Sequence, residues 1–141
     1  MTFAPQIKEI SQQSFALLNA KGYAPFYVDE EKIDFDCQID GVKFSFYLID
    51  DDVFGYSAEF TLKEELNENE IEHLEHIYMQ TDTDDVAFEN FHMDGKFICL
   101  SSAFAWDFYP EDFTDRSIKA LTDTGGIAAE LKAKSYVGEE H

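Results

Sequence analysis

The chain has 141 residues and a mass of 16.2 kDa, enough for one domain, residues 1–141, with a buried core of its own. Its 45% apolar and 28% charged residues describe a globular rather than a disordered chain, and no apolar run reaches the roughly 18 to 20 residues of a membrane span. A net charge of −20 argues against nucleic acid and anionic membranes as partners and favours basic proteins, while also serving plain solubility.

In chain order, the spacing of Ile7, Ile10, Ser14, Leu17 and Leu18 predicts a helix over Pro5 to Lys21. Pro5 suits its first turn and Gly22 its stop. Tyr23 to Asp29 reads as extended, because Ala24 precedes a proline and is pushed out of helical geometry. Three strands follow. Ile33, Phe35, Cys37 and Ile39 alternate with polar residues, and Asp40-Gly41 is a two-residue hairpin signal. Val42, Phe44, Phe46 and Leu48 form the return strand's inner face, Asp50-Asp51-Asp52 the next turn, and Phe54 to Leu62 a third alternating run. A second helix starts near Asn67, where Asn67 and Glu70 have capping-box spacing, with Ile71, Leu74, Ile77 and Tyr78 as its stripe.

Thr81 to Asp85 reads as a polar loop. A further hairpin is expected from Val86 to Met93 and from Phe97 to Phe104, turned by Asp94-Gly95. Its second strand is apolar on both faces, with Phe97, Cys99 and Ala103 on one and Ile98, Leu100 and Phe104 on the other. Such a strand is expected mid-sheet and covered twice, by helices on one side and with a second subunit as a candidate cover for the other. After Pro110 a last helix begins at Asp112 to Thr114 and stays in phase through Gly125-Gly126, where a kink is expected. No internal repeat or low-complexity segment appears. The elements add up to an α+β fold, a twisted antiparallel sheet with helices packed on it, in the order α-β-β-β-α-β-β-α.

The charge is unevenly spread. Residues 29–115 hold 25 acids and 4 bases, a net of −21, whereas 1–28 sum to +1 and 116–141 to zero. The N-terminal residues Met1 to Pro5 lack the basic flank and apolar run of a signal peptide. Cys37 and Cys99 both fall within strand runs and read as buried free thiols rather than a disulfide. Together these features point to a reduced, cytoplasmic setting.

Residues with catalytic potential are few. His73 and His76, three apart and near Glu70 and Glu72, have a spacing that can clamp a metal, but a solvated helix face accounts for them better. Asp50-Asp51-Asp52 invites a calcium loop, yet Val53 and Phe54 occupy ligand-loop space and Glu59 falls early, so a hairpin turn is favoured. Neither cysteine nor Ser101-Ser102 has the surroundings of a nucleophile, and His92 lacks an evident orienting partner. Phosphate-loop, dinucleotide and zinc-protease motifs are absent from the sequence. No enzyme, cofactor or metal is therefore expected. The aromatic excess is more telling, at 22 of 141 residues. Phe104, Trp106, Phe108 and Tyr109 are the residues read as protein-contact anchors.

The chain also resembles the YbjN-like proteins, which share a fold with the CesT type III secretion chaperones. The resemblance runs through Lys21-Gly22-Tyr23, then Ile33 to Phe46 with its Asp40-Gly41 turn, and Asp50-Asp51-Asp52. It continues through Asp94-Gly95-Lys96-Phe97, Ser101-Ser102-Ala103-Phe104 and Tyr109-Pro110-Glu111-Asp112-Phe113, and so covers nearly the whole chain. It implies a frequently dimeric fold and, in the chaperone branch, a small acidic non-enzymatic protein binding extended partner segments; the YbjN branch is described as sensory regulators. Gly125-Gly126 departs from the pattern of the last helix. The expected molecule is a non-catalytic cytoplasmic homodimer that binds another protein. The alternatives are an acidic inhibitor that masks a basic partner by charge mimicry, and a metal-dependent activity at His73 and His76.

Overall fold

The computed structural model describes residues 4–80, 88, 90–122 and 127–135, and the side chains of these except 78–80. Among the described residues the fold is α+β, four helices and six antiparallel strands in one open sheet. The first helix, α1, is Pro5–Ala20. Its stop is a Schellman motif: Gly22, at φ 90°, lets the Tyr23 N–H reach the Leu18 carbonyl at 3.1 Å and its own N–H reach the Asn19 carbonyl at 3.1 Å. Ile7, Ile10, Ser14 and Leu18 of the anticipated stripe are buried, joined by Ser11. The buried hydroxyls are partnered, since Ser11 donates to the Ile33 carbonyl and Thr114 donates to Ser14 at 3.2 Å.

The strands are β1 (Phe26–Tyr27), β2 (Phe35–Ile39), β3 (Val42–Asp50), β4 (Val53–Thr61), β5 (Asn90–Asp94) and β6 (Phe97–Ala105), in the spatial order β1-β2-β3-β4-β6-β5. The three-strand meander appears with its anticipated turn at Asp40-Gly41, both residues having positive φ, as a primed hairpin turn requires. At the second hairpin Asp94 pairs with Phe97, so the two turn residues are Gly95 and Lys96, one place later than expected. The Asp50-Asp51-Asp52 run is the β3–β4 hairpin turn, with an irregularity between Leu48 and Asp50. The extended reading of Tyr23 to Asp29 holds only for short β1; Ala24 itself sits at φ 52°.

Helix α2 (Glu68–Gln80) begins with the anticipated box. Asn67 Oδ1 accepts from the Glu70 N–H at 2.8 Å, and Glu70 Oε1 accepts from the Asn67 N–H at 3.1 Å. The last helical region is two helices, α3 (Phe113–Thr122) and α4 (Ile127–Ala133). Residues 81–85, part of the expected Val86–Met93 strand and the Gly125-Gly126 pair lie outside the described residues.

The helices cover one face of the sheet. Its core is aromatic: Phe35 stacks on Phe46 at 5.3 Å, Phe46 on Phe54 at 5.0 Å, and Phe113 of α3 lands on Tyr56 at 5.1 Å and Phe54 at 5.7 Å. Lys132 of α4 donates to both Asp40 in the β2–β3 turn and the Leu121 carbonyl, fastening α3 and α4 to the sheet's end.

Within the single chain, β4 rather than β6 is the strand covered on both sides. β6 lies next to the β5 edge, and on its outer face Ala103 and Phe97 are exposed, without a helix over them among the described residues. It is β4 that is buried on both sides from Phe54 to Ala58. Tyr47 and Ile49 fold across Gly55: a Cβ built there would lie 2.7 Å from Ile49 Cδ1 and 2.9 Å from Tyr47 Cε2. A glycine therefore supplies the space in which the outer cover rests.

Candidate protein-binding surface

The four residues read as protein-contact anchors, Phe104, Trp106, Phe108 and Tyr109, lie at the end of β6 and in the segment that follows it. Backbone bonds shape that segment: the Trp106 N–H donates to the Asp52 carbonyl at 3.0 Å, prolonging the β4–β6 edge past its last pair. The Phe108 N–H then donates to the Ala105 carbonyl at 3.0 Å, and the Phe113 N–H to the Pro110 carbonyl at 3.1 Å, so the chain doubles back into α3. A short polypeptide held at both ends in this way presents its side chains from a fixed frame.

The four side chains have three different fates. Phe104 turns to the inner face, with its ring 6.2 Å from Phe54 and 6.0 Å from Tyr56. Tyr109 makes edge contacts with Phe54 at 5.7 Å and Phe113 at 6.0 Å, and keeps part of its surface outside the core. Trp106 is likewise half-buried against the core. Phe108 is 80% exposed, the most exposed of the large apolar side chains described. Phe104 thus acts mainly as packing, while Trp106, Phe108 and the outer part of Tyr109 face solvent.

Between this segment and α1 runs an open groove of about 560 Å³. From α1 come Gln6, Glu9, Ile10 and Gln13, spaced along one face beside the buried stripe and sharing Ile10 with it. The other wall is Trp106, Tyr109 and Glu111. Burial raises the pKa of the Tyr109 hydroxyl above the ordinary phenol value, and the nearby Glu111 and Glu9 carboxylates raise it further. The α1 side of this groove was not foreseeable from the sequence. Its 6, 9, 10, 13 spacing marks a helix face, but nothing local says which part of the chain lies opposite.

Other large apolar side chains are open too: Phe26 and Val28 are 57% and 55% exposed at the β1 edge, and Ile49 and Phe97 emerge singly at opposite ends of the outer sheet face. His73 and His76 are both on the exposed side of α2, and His73 Nε2 lies 3.8 Å from Glu130 Oε1 of α4. Among the described residues no three His, Cys, Asp or Glu side chains gather as metal ligands. Burial pushes the Cys37 thiol up to about 12 and raises Cys99 as well, which suppresses the thiolate each would need as a nucleophile. No described helix is long and apolar enough to cross a membrane.

Comparison with known proteins adds no relative: no family model, curated protein or solved structure matches the chain.

Proposed function

We propose that this protein is a non-catalytic protein-binding module of the YbjN/CesT-like kind, chaperone-like or regulatory, acting as a cytoplasmic homodimer. The observation that carries the reading is Phe108, 80% exposed in the same short segment whose Trp106, Tyr109 and Glu111 wall the α1 groove. A large aromatic held outward by a backbone-bonded turn costs solvation and adds nothing to the core, and such residues are the usual anchors of protein interfaces. The sheet's outer face and the β1 edge offer further apolar area for a second copy or an extended segment. The acidic field would steer basic partners and keep the complex soluble.

Phe108→Ala tests this without disturbing the fold, because an exposed substitution of this kind changes stability by only about 0.5 kcal/mol. Sedimentation velocity and partner capture from native cytoplasm should show weaker self-association or weaker partner binding, for this variant and for Trp106→Ala, with helix content unchanged. If both variants sediment and capture like the parent, the reading fails.

The concentration of 25 acids between residues 29 and 115 supports a second reading, an inhibitor that masks a basic partner by charge mimicry. Salt separates the two. A complex held by apolar contacts persists at about 0.5 M salt, where screening is severe, and a charge-mimic complex dissociates.

A further inference from the structure

We propose that the groove between α1 and the 106–111 segment is a recognition pocket for a cationic side chain, foremost an arginine, presented by a bound polypeptide. This rests on the protein-binding reading above and names the chemistry of the partner at one place.

The composition of the walls carries the assignment. Two carboxylates, Glu9 and Glu111, two carboxamides, Gln6 and Gln13, and two aromatic side chains, Trp106 and Tyr109, meet around Ile10, with no lysine or arginine among the lining residues. An anionic ligand would be repelled by both carboxylates. A purely apolar side chain would find little to match it, because most of the lining side chains are polar and exposed. A guanidinium complements this lining: its donors match carboxylate and amide oxygens, and its planar face suits indole and phenol surfaces. A bare metal ion fits less well, because its ligands must converge and no such group exists among the described residues. Burial first, and then Glu111 and Glu9, raise the pKa of the Tyr109 hydroxyl, consistent with carboxylates of both walls lying near that ring. At about 560 Å³ the space is of the size of small-ligand sites, with room for one side chain and its flanking backbone. The net charge of −20 supplies the long-range attraction that such an occupant would feel.

Trp106 is the chain's one tryptophan, so its fluorescence reports on this groove directly. The probes are acetylated, amidated Gly-Arg-Gly, the same peptide with citrulline, the uncharged isostere of arginine, and Gly-Leu-Gly. The arginine peptide should change Trp106 emission saturably, with a Kd on the order of millimolar for so small a ligand. The citrulline peptide should bind about tenfold more weakly, as should the arginine peptide to a Glu9→Gln, Glu111→Gln protein. Both glutamates are exposed, so the double variant should keep the parent circular dichroism. Were it to misfold, the citrulline comparison on the parent protein decides alone. Absence of a saturable change with arginine overturns the assignment. So does equal binding of the arginine and citrulline peptides. A response to Gly-Leu-Gly as strong as to arginine also overturns it, but leaves the broader protein-binding reading standing; that reading falls only by the Phe108 and Trp106 variants.

Discussion

Three residues, Cys37, Cys99 and Asp34, give the clearest stability and reactivity signatures. Cys37 is buried on the inner face, and its thiol is pushed up to about 12, so near neutral pH its thiolate fraction is about a thousandfold below that of a free cysteine. Cys99 is half-buried on the outer face, raised by burial and then by Glu59. A thiol reagent should therefore label Cys99 slowly in the native protein and Cys37 only in denaturant; rapid labelling of both would contradict the packing described. Asp34 tests the electrostatics. It accepts from the Leu48 N–H at 2.9 Å, but burial raises its pKa, with Asp29, Asp36 and Glu31 adding to the rise. The folded state then keeps this proton at a pH where the unfolded chain has lost it. The site's contribution to stability consequently falls as pH rises from the ordinary carboxylate value of about 3.9 through the raised one. Asp34→Asn retains an acceptor for Leu48 and removes the charge. It should raise Tm near neutral pH, an advantage that vanishes below the ordinary carboxylate value. A Tm unchanged or lowered at neutrality would mean the Leu48 bond outweighs the burial cost.

At the level of elements, what was legible was local. The α1 stop, the Asn67–Glu70 box and the Asp40-Gly41 turn each depend on residues within four or five positions of one another, and each formed as the spacing indicated. Asn67→Ala should cost about 1 kcal/mol in urea denaturation, and Asn67→Asp, which keeps a capping oxygen, much less. Equal losses from both would show that the box adds little to α2. The α3 contact is of another order. Phe113 touches Tyr109, Phe46, Phe54 and Tyr56, so Phe113→Ala removes the ring that joins helix to sheet and should cost about 3–5 kcal/mol. That is a large share of the roughly 5–15 kcal/mol of a typical domain, and a loss below about 1 kcal/mol would place α3 outside the cooperative core.

Over the whole molecule, charge opposes compaction. Among the described residues, ion pairs such as Lys134 with Glu70 at 2.8 Å and Lys43 with Glu59 at 3.3 Å are few beside the 25 acids of the sequence between 29 and 115. Surface pairs each contribute about 0–1 kcal/mol, too little to offset the summed repulsion. Raising salt from about 10 mM to about 0.5 M shortens the Debye length from about 30 Å to under 10 Å and should raise Tm by several degrees. A Tm that falls with salt would mean the local pairs dominate after all. The same long-range field makes any basic partner's association rate strongly salt-dependent, whichever surface it finally occupies.

Composition, spacing and turn chemistry by themselves determined the α+β class, the antiparallel meander, the helix caps and the acidic field, because each is set by neighbours along the chain or by simple summation. Only the tertiary structure decided that β4 is covered on both sides within the chain, since that depends on Tyr47 and Ile49 folding over Gly55 from the adjoining strand. It also decided that Phe104 belongs to the core while Phe108 stands outside it, and that Glu9 and Gln13 of α1 face Trp106 and Glu111. The physical reason is range. Periodicity tells which face of an element is apolar, whereas a groove walled by residues about a hundred positions apart exists only after the sheet has set the distance between its helices.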